Sequence, residues 1–235
     1  MKNPIIVALD LNNAAEALKL VDRLGDSVSF YKVGLELFTA EGPGVVRDLT
    51  AMGKDVFVDL KMYDIGETVK RATASVASLG ARLLTVHSSP QVIRAAMQGA
   101  QGSELKILAV TVLTSFAQQD LEDLGVSGRT ISEQVKYLAT KGIEAGVDGF
   151  VCSALEVASL RALAGPGKIL VAPGVRSAGA DHGDQKRVAT PAEAVAAGAD
   201  YLVIGREITH AADPASASEN ILMDLRMIRS HKRAR

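Results

Sequence analysis

KDVFVDLKMYDIGETVKRATASVASLG, residues 54–80, joins a short apolar run to a stretch with helical character. DVFV reads as a buried strand, and ETVKRATASVASLG as a helix closed by Gly80. The same strand-then-helix unit recurs from one end of the chain to the other. The strand candidates are PIIVALD, VSFYKVG, DVFVDLK, RLLTVH, LKILAVTVLT, GFVCS, KILVAPGV and YLVIGR. Helix-like segments such as AAEALKLVDRLG, ISEQVKYLATKGIEAG and TPAEAVAAGA lie between them. Eight such units predict an α/β fold, a single-domain (β/α)₈ TIM barrel spanning residues 1–235. The continuous apolar character of the runs fits parallel strands covered on both faces. Asn13 with Glu16 three residues later, and glycines after several helices, mark helix ends. A doubly wound open sheet is the rival fold, but no early Gly-rich fingerprint supports it.

The composition suits one ordinary domain: 235 residues, 48% hydrophobic, with 26 Lys+Arg against 27 Asp+Glu. Near-neutral charge argues against nucleic-acid or membrane-surface binding, which call for a basic face. No apolar stretch approaches the length that spans a bilayer. The start, MKNPIIVALD, reads as a first strand rather than a signal peptide, and SHKRAR as a frayed helix end. One cysteine, Cys152, excludes an internal disulfide framework and fits a reducing, cytoplasmic setting.

Chemistry in such a barrel sits at the C-terminal ends of the strands. Charges cluster there: Asp10 after the first run, Lys32 in the second, Asp59 and Lys61 ending the third, Arg206 after the eighth. Residues two apart in a strand share a face, so Asp59 and Lys61 project together, with Phe57 before them. Opposite charges at the mouth of a buried strand are expensive unless they face one another. Taken singly, Asp10 is equally a helix cap or a site residue, and Lys32 can snorkel to solvent. Asp64 with Glu67 resembles a capping box opening the helix after the third strand. Lys61, between Asp59 and Asp64, is the least easily excused. The four together favour a functional site.

A second signal lies near the end of the chain. APGVR, residues 172–176, and IGR, residues 204–206, place Gly and Arg directly after strands seven and eight. Backbone N–H groups in such turns, with an arginine fork, suit phosphate oxygens, and barrels commonly use these two loops for phosphate. Gly174 and Gly205 taken alone merely permit tight turns. The remaining candidates are weaker. The four histidines show no metal-ligand spacing, and no HxxxH or CxxC pair occurs. His87 ends the fourth strand and reads as a structural histidine. Cys152 reads as a small core residue, and Thr111, Thr114 and Ser115 as hydrogen-bond donors to a ligand.

DLKMYDIGETV, residues 59–69, is similar to the DxKxxD signature of the orotidine 5′-phosphate decarboxylase family. The resemblance continues through IIVALD, FYKVGLELF, AVTVLTS, DGFVCSALE, APGVRSAG, DQKRVATP and GADYLVIGREIT, in family order. It implies metal- and cofactor-free decarboxylation of orotidine 5′-phosphate to UMP and CO₂, the final step of pyrimidine nucleotide synthesis, by a homodimer. Asp10 and Lys32 would bind the ribose, with Lys32 also in the charged network. Asp59 would stand beside the substrate carboxylate and Lys61 would protonate the C6 carbanion. Asp64 and Thr68 would reach into the neighbouring subunit's site. Thr114 would contact the pyrimidine, while Arg176, Gln185, Gly205 and Arg206 would hold the phosphate. The loop over residues 177–190 would act as the lid.

Three places depart from the family pattern. Tyr63, Asp64, Ile65, Gly66 and Glu67 stand where His-Asp-Ile-Pro-Asn is usual, Glu207 replaces a proline, and Ser89 and Pro90 replace a glycine pair. The hexulose phosphate synthases and ketogulonate phosphate decarboxylases share the barrel and DxKxxD. They carry a Mg²⁺-binding glutamate where this chain has Lys32, and a lysine there repels a divalent cation. Ribulose-phosphate epimerases use histidine metal ligands that this spacing does not offer. A non-catalytic phosphate-ligand binding barrel remains an alternative, but a mere binder need not bury such charge.

Overall fold

The computed structural model describes residues 3–177 and 189–233, with side chains to residue 227. Its strands are β1 (Ile5–Ala8), β2 (Phe30–Gly34), β3 (Asp55–Met62), β4 (Leu83–His87), β5 (Lys106–Val110), β6 (Gly149–Val151), β7 (Ile169–Pro173) and β8 (Tyr201–Ile204). They pair in parallel, each with the next, and β8 returns to β1, closing the barrel. The helices are α1 (Ala14–Leu24), α2 (Leu35–Glu41), α3 (Gly44–Ala51), α4 (Gly66–Ser78), α5 (Pro90–Gly99), α6 (Gln118–Asp123), α7 (Ile131–Glu144), α8 (Val157–Ala164), α9 (Pro191–Ala197), α10 (Arg206–Thr209) and α11 (Pro214–Arg233). Among the described residues no helix is long and apolar enough to cross a membrane.

Two apolar layers result from alternation along the strands. Ile6, Phe30, Phe57, Leu83, Leu108, Val171 and Val203 fill the barrel interior. Ile5, Val7, Tyr31, Val33, Val56, Val58 and Leu84 face outward and are covered by helices. Phe57 is 1% exposed, and a side chain buried so fully contributes about 1.5–3 kcal/mol through area removed from water. Stacked inward residues make the barrel a packed core rather than a pore, so only its rims are open for chemistry.

Local chemistry sets the helix ends. Asn13 caps α1 by accepting the Glu16 N–H at 2.9 Å. Thr130 with Glu133, and Thr190 with Glu193, form reciprocal capping boxes on α7 and α9. Gly25, Gly42, Gly165 and Gly198 close α1, α2, α8 and α9. The expected box at Asp64 and Glu67 does not form. The N-cap of α4 is Ile65, without a side-chain cap. Asp64 instead accepts the N–H of its own neighbour Ile65 at 2.6 Å and stays exposed. The fifth strand is also shorter than its apolar run, ending at Val110 rather than continuing through TVLT. Cys152 is buried, as a core residue would be.

Strands β6 and β7 approach closely at Gly149. A methyl group added at Gly149 would overlap the Ile169 carbonyl of the adjacent strand β7. Backbone cannot move aside as a flexible side chain can. Gly149→Ala therefore loses about 1–3 kcal/mol by overpacking, read as a lower urea midpoint. Gly167→Ala, where the added methyl meets nothing within 4 Å, leaves the midpoint near wild type.

Candidate active site

At the C-terminal rim, inward alternation changes from apolar to charged. Following Ile6 and Ala8, Asp10 continues the inner face just past β1. Lys32 follows Phe30 on β2, and Asp59 follows Phe57 on β3. The four charges form one alternating chain. The Lys32 ammonium lies 2.8 Å from Asp10 Oδ1 and 3.8 Å from Asp59 Oδ2. The Lys61 ammonium donates to both Asp59 oxygens, each at 3.0 Å. Asp59 and Lys32 are 9% exposed. Burial of a lone carboxylate or ammonium costs several kcal/mol, so each of these groups is tolerable only because the others are present.

The path of β3 is not the plain alternation that spacing predicts. Between β3 and β4 the register runs Val58↔Leu84 and then Met62↔Val86, so four steps on β3 match two on β4. That bulge contains Asp59, Leu60 and Lys61. Lys61 carries φ of 48, the one positive φ among the described non-glycine residues. Such a conformation costs about 1–3 kcal/mol in a residue bearing a side chain, and it persists only where the surroundings enforce it. It swings the Lys61 side chain back over Asp59.

Thr85 lies in the gap between the two register pairs, fully buried. Its hydroxyl oxygen accepts the Lys61 backbone N–H at 2.9 Å and its O–H donates to Asp59 Oδ1 at 2.8 Å. Sequence reasoning passed over this residue. The usable signal was a polar side chain inside the apolar run LLTVH, in inward register between Leu83 and His87.

Two lobes that share Lys32, Pro173 and Val203 as lining flank the charged chain. One, about 240 Å³, is lined by Asp10, Lys32, Gly174, Arg176, Gly205, Arg206 and His210. Gly174 turns the backbone with φ of 73, and Arg176 from the β7 loop lines this lobe together with Arg206 from the start of α10. The other, about 140 Å³, is lined by Phe57, Asp59, Lys61, Val110, Val112, Thr114 and Val151. It is apolar except at the charged wall and Thr114. Lys32 lines both lobes. The pair thus offers an arginine-lined lobe, a charged divide and a small, mostly apolar slot. A larger cavity, about 420 Å³, opens at the opposite end near Asn3, Asp26 and Arg226. It lacks any comparable ion-pair chain among the described residues, so size alone does not mark the site.

Asp64 and Thr68 stand apart from this network within the single chain, on the segment leading into α4 and in its first turn. Gln185 and most of the loop 177–190 lie outside the described residues. His87 sits at the mouth, its ring edge-on to Tyr63 with centroids 5.5 Å apart. Burial lowers the His87 pKa and the nearby Lys61 charge adds to the effect. Among the described residues, no three His, Cys, Asp or Glu side chains gather as metal ligands.

Comparison with known proteins agrees with this geometry. The family model "Orotidine 5'-phosphate decarboxylase / HUMPS family" matches residues 3–221. An orotidine 5′-phosphate decarboxylase of Afipia carboxidovorans is 52% identical over 221 residues, covering 94% of each chain. One of Methylobacterium sp. strain 4-46 is 48% identical over 227 residues, covering 95% of this chain and 96% of the relative. The crystal structure of orotidine 5′-phosphate decarboxylase from Lactobacillus acidophilus superposes with a TM-score of 0.84 at 38% identity, over 95% of this chain and 99% of that one. The chain therefore belongs to the orotidine 5′-phosphate decarboxylase / HUMPS family.

Proposed function

We propose that this protein is a carboxy-lyase that converts orotidine 5′-phosphate to UMP and CO₂ without metal or cofactor. The observation that carries the reading is the Asp10–Lys32–Asp59–Lys61 chain of alternating charge, set between an arginine lobe and an apolar slot. A phosphorylated ribose fits the first lobe and a pyrimidine fits the second. Arg176, Arg206, Gly205 and Gln185 hold the phosphate, Asp10 and Lys32 the ribose hydroxyls, and Thr114 the pyrimidine edge. In the Mg²⁺-dependent branch of the same family a glutamate occupies the place of Lys32. Here the ammonium, clamped by Asp10, would repel a divalent cation, which favours the metal-free branch.

The reaction follows from the contacts. The bond between C6 and the carboxylate breaks, CO₂ departs, and the electron pair stays on C6. No adjacent carbonyl accepts that charge, so fixed charges must. The Lys61 ammonium, aimed by Asp59, meets the developing negative charge and then transfers a proton to C6. Two unit charges about 4 Å apart interact by about 4 kcal/mol at an effective dielectric near 20. Enzymes lower barriers by about 8–23 kcal/mol, so one lysine is insufficient. Binding of phosphate and ribose supplies the remainder, by holding the ring against the charged divide. Asp59 crowding the substrate carboxylate is a secondary contribution.

The active form is a homodimer in the cytoplasm. Asp64, exposed beside Tyr63 and Ile65, which are 70% and 71% exposed, projects with Thr68 toward the partner's site. Burial of such apolar side chains against a second copy removes them from water.

Three measurements test the reading. Loss of orotidylate absorbance should proceed with purified protein in excess chelator, and Lys61→Ala should cut kcat by about 10²–10⁴-fold, the usual share of a general acid. Turnover by K61A near the wild-type rate defeats the acid assignment, and a chelator requirement favours the Mg²⁺ branch. Arg206→Ala should weaken UMP binding by about 10- to 100-fold, the scale of a charge-assisted hydrogen bond, and leave uridine binding unchanged. Equal loss for both ligands defeats the phosphate role. Mixing inactive Asp64→Ala and Lys61→Ala chains should restore one working site per heterodimer, and absence of recovery rules out a shared site.

A further inference from the structure

Thr85 closes a ring that no charged residue closes. Its single hydroxyl bonds the backbone of Lys61 on one side and the carboxylate that orients the Lys61 side chain on the other. The direction of each bond is unambiguous: an amide N–H only donates and an ionised carboxylate only accepts, so the hydroxyl accepts from Lys61 and donates to Asp59. The ring runs from Lys61 N–H through Thr85 to Asp59 Oδ1, and from Asp59 back to the Lys61 ammonium at 3.0 Å. Thr85 belongs to β4, the strand from which β3 departs in register at this point. The neighbouring strand therefore sets where Lys61 stands, through one oxygen atom.

We infer that Thr85 is a positioning residue for the acid: it stabilises the left-handed backbone of Lys61 and fixes the rotation of the Asp59 carboxylate, so that the ammonium points at the reacting carbon. The inference rests on the proposed decarboxylation for its kinetic consequences, while its structural consequence stands apart from any substrate. The position of Thr85 supports a role without substrate contact. It is 0% exposed and lines neither lobe of the site. A packing role alone would need only the shape of the side chain. Valine has that shape, and lacks both the donor and the acceptor. Without them, the Lys61 N–H loses its partner inside the bulge, and Asp59 loses one of the donors that orient it.

The test compares Thr85→Val with Thr85→Ser. T85V should lower kcat by roughly 100-fold, the scale of a misplaced catalytic group, with KM and UMP affinity held within about threefold because the phosphate and ribose contacts lie elsewhere. T85S keeps the hydroxyl and should return kcat to within about threefold of wild type. A crystal structure of T85V should show Lys61 out of the positive-φ region and its ammonium withdrawn from Asp59. Three outcomes overturn the inference: T85V retaining wild-type kcat, equal losses in T85V and T85S, or a T85V chain that fails to fold while T85S folds, which would make the hydroxyl a general stability element. Absence of orotidylate turnover by the wild-type protein defeats the proposed reaction instead. In that case the T85V crystal structure alone decides, and an unmoved Lys61 overturns the inference.

Discussion

Asp59 places a carboxylate, 9% exposed, at the top of a packed barrel, and that single ion organises the rest of the rim. Two donors and a further ammonium answer it. Thr85 donates at 2.8 Å, Lys61 donates to both oxygens at 3.0 Å, and the Lys32 ammonium stands at 3.8 Å. Removing one partner of a buried ion pair costs about 3–5 kcal/mol, far more than the pair is worth against an apolar replacement. An arrangement of this kind is a poor way to gain stability and a good way to hold charge in a fixed place. Asp10 continues the logic outward, balancing Lys32 at the edge where its own carboxylate reaches water. The chain of four is neutral as a whole, so the barrel mouth carries it without an uncompensated charge.

Rigidity comes from beneath. Phe30 and Phe57 lie one inward step below Lys32 and Asp59, each almost fully buried. Their packing leaves the bases of the charged side chains little freedom. The bulge in β3 gives Lys61 a backbone that a regular strand does not have. Its φ is 48, and its ammonium lies 3.0 Å from the carboxylate two positions earlier. Strain of this type survives because β4 supplies the compensating hydrogen bond. Packing, register and charge placement are thus one problem with one solution.

Much of this was legible in the sequence. Eight apolar runs with helices between them led to the closed barrel, and period-two alternation correctly put Asp10, Lys32 and Asp59 on the inner face. Arg176 and Arg206 were placed together by their positions after strands seven and eight, and they do line one lobe. The failures have specific causes. Asp64 and Glu67 match a capping box in spacing, but α4 begins later, at Gly66, with Ile65 as its cap. TVLT has strand composition, yet β5 ends before it, where the pairing with β6 also stops. Lys61 was assigned to the right neighbour by the wrong geometry, since alternation assumes an extended strand and the chain is bulged there. Thr85 was missed because one hydroxyl in an apolar run resembles any strand threonine. Only the register between β3 and β4 shows that it faces Asp59.

Charge balance also constrains how the proposed reaction is shared among these residues. The resting divide has two ammonium groups and two carboxylates. In the proposed reaction a substrate carboxylate arriving next to Asp59 adds a third negative charge in a confined space, and as CO₂ leaves that charge moves onto C6. The charge left on C6 then lies beside the ammonium of Lys61 in place of the departed carboxylate. Stabilisation is largest at the moment the electron pair localises, which is the condition for lowering a barrier rather than tightening ground-state binding. The arginine lobe answers a charge that does not change during the reaction, so its contribution to holding substrate is constant from start to finish. Under the proposed reaction, phosphate binding would set the position of the ring and the Asp59–Lys61 pair would set the rate. The bulge lies where the two meet, since it carries both Asp59 and Lys61, which line the slot.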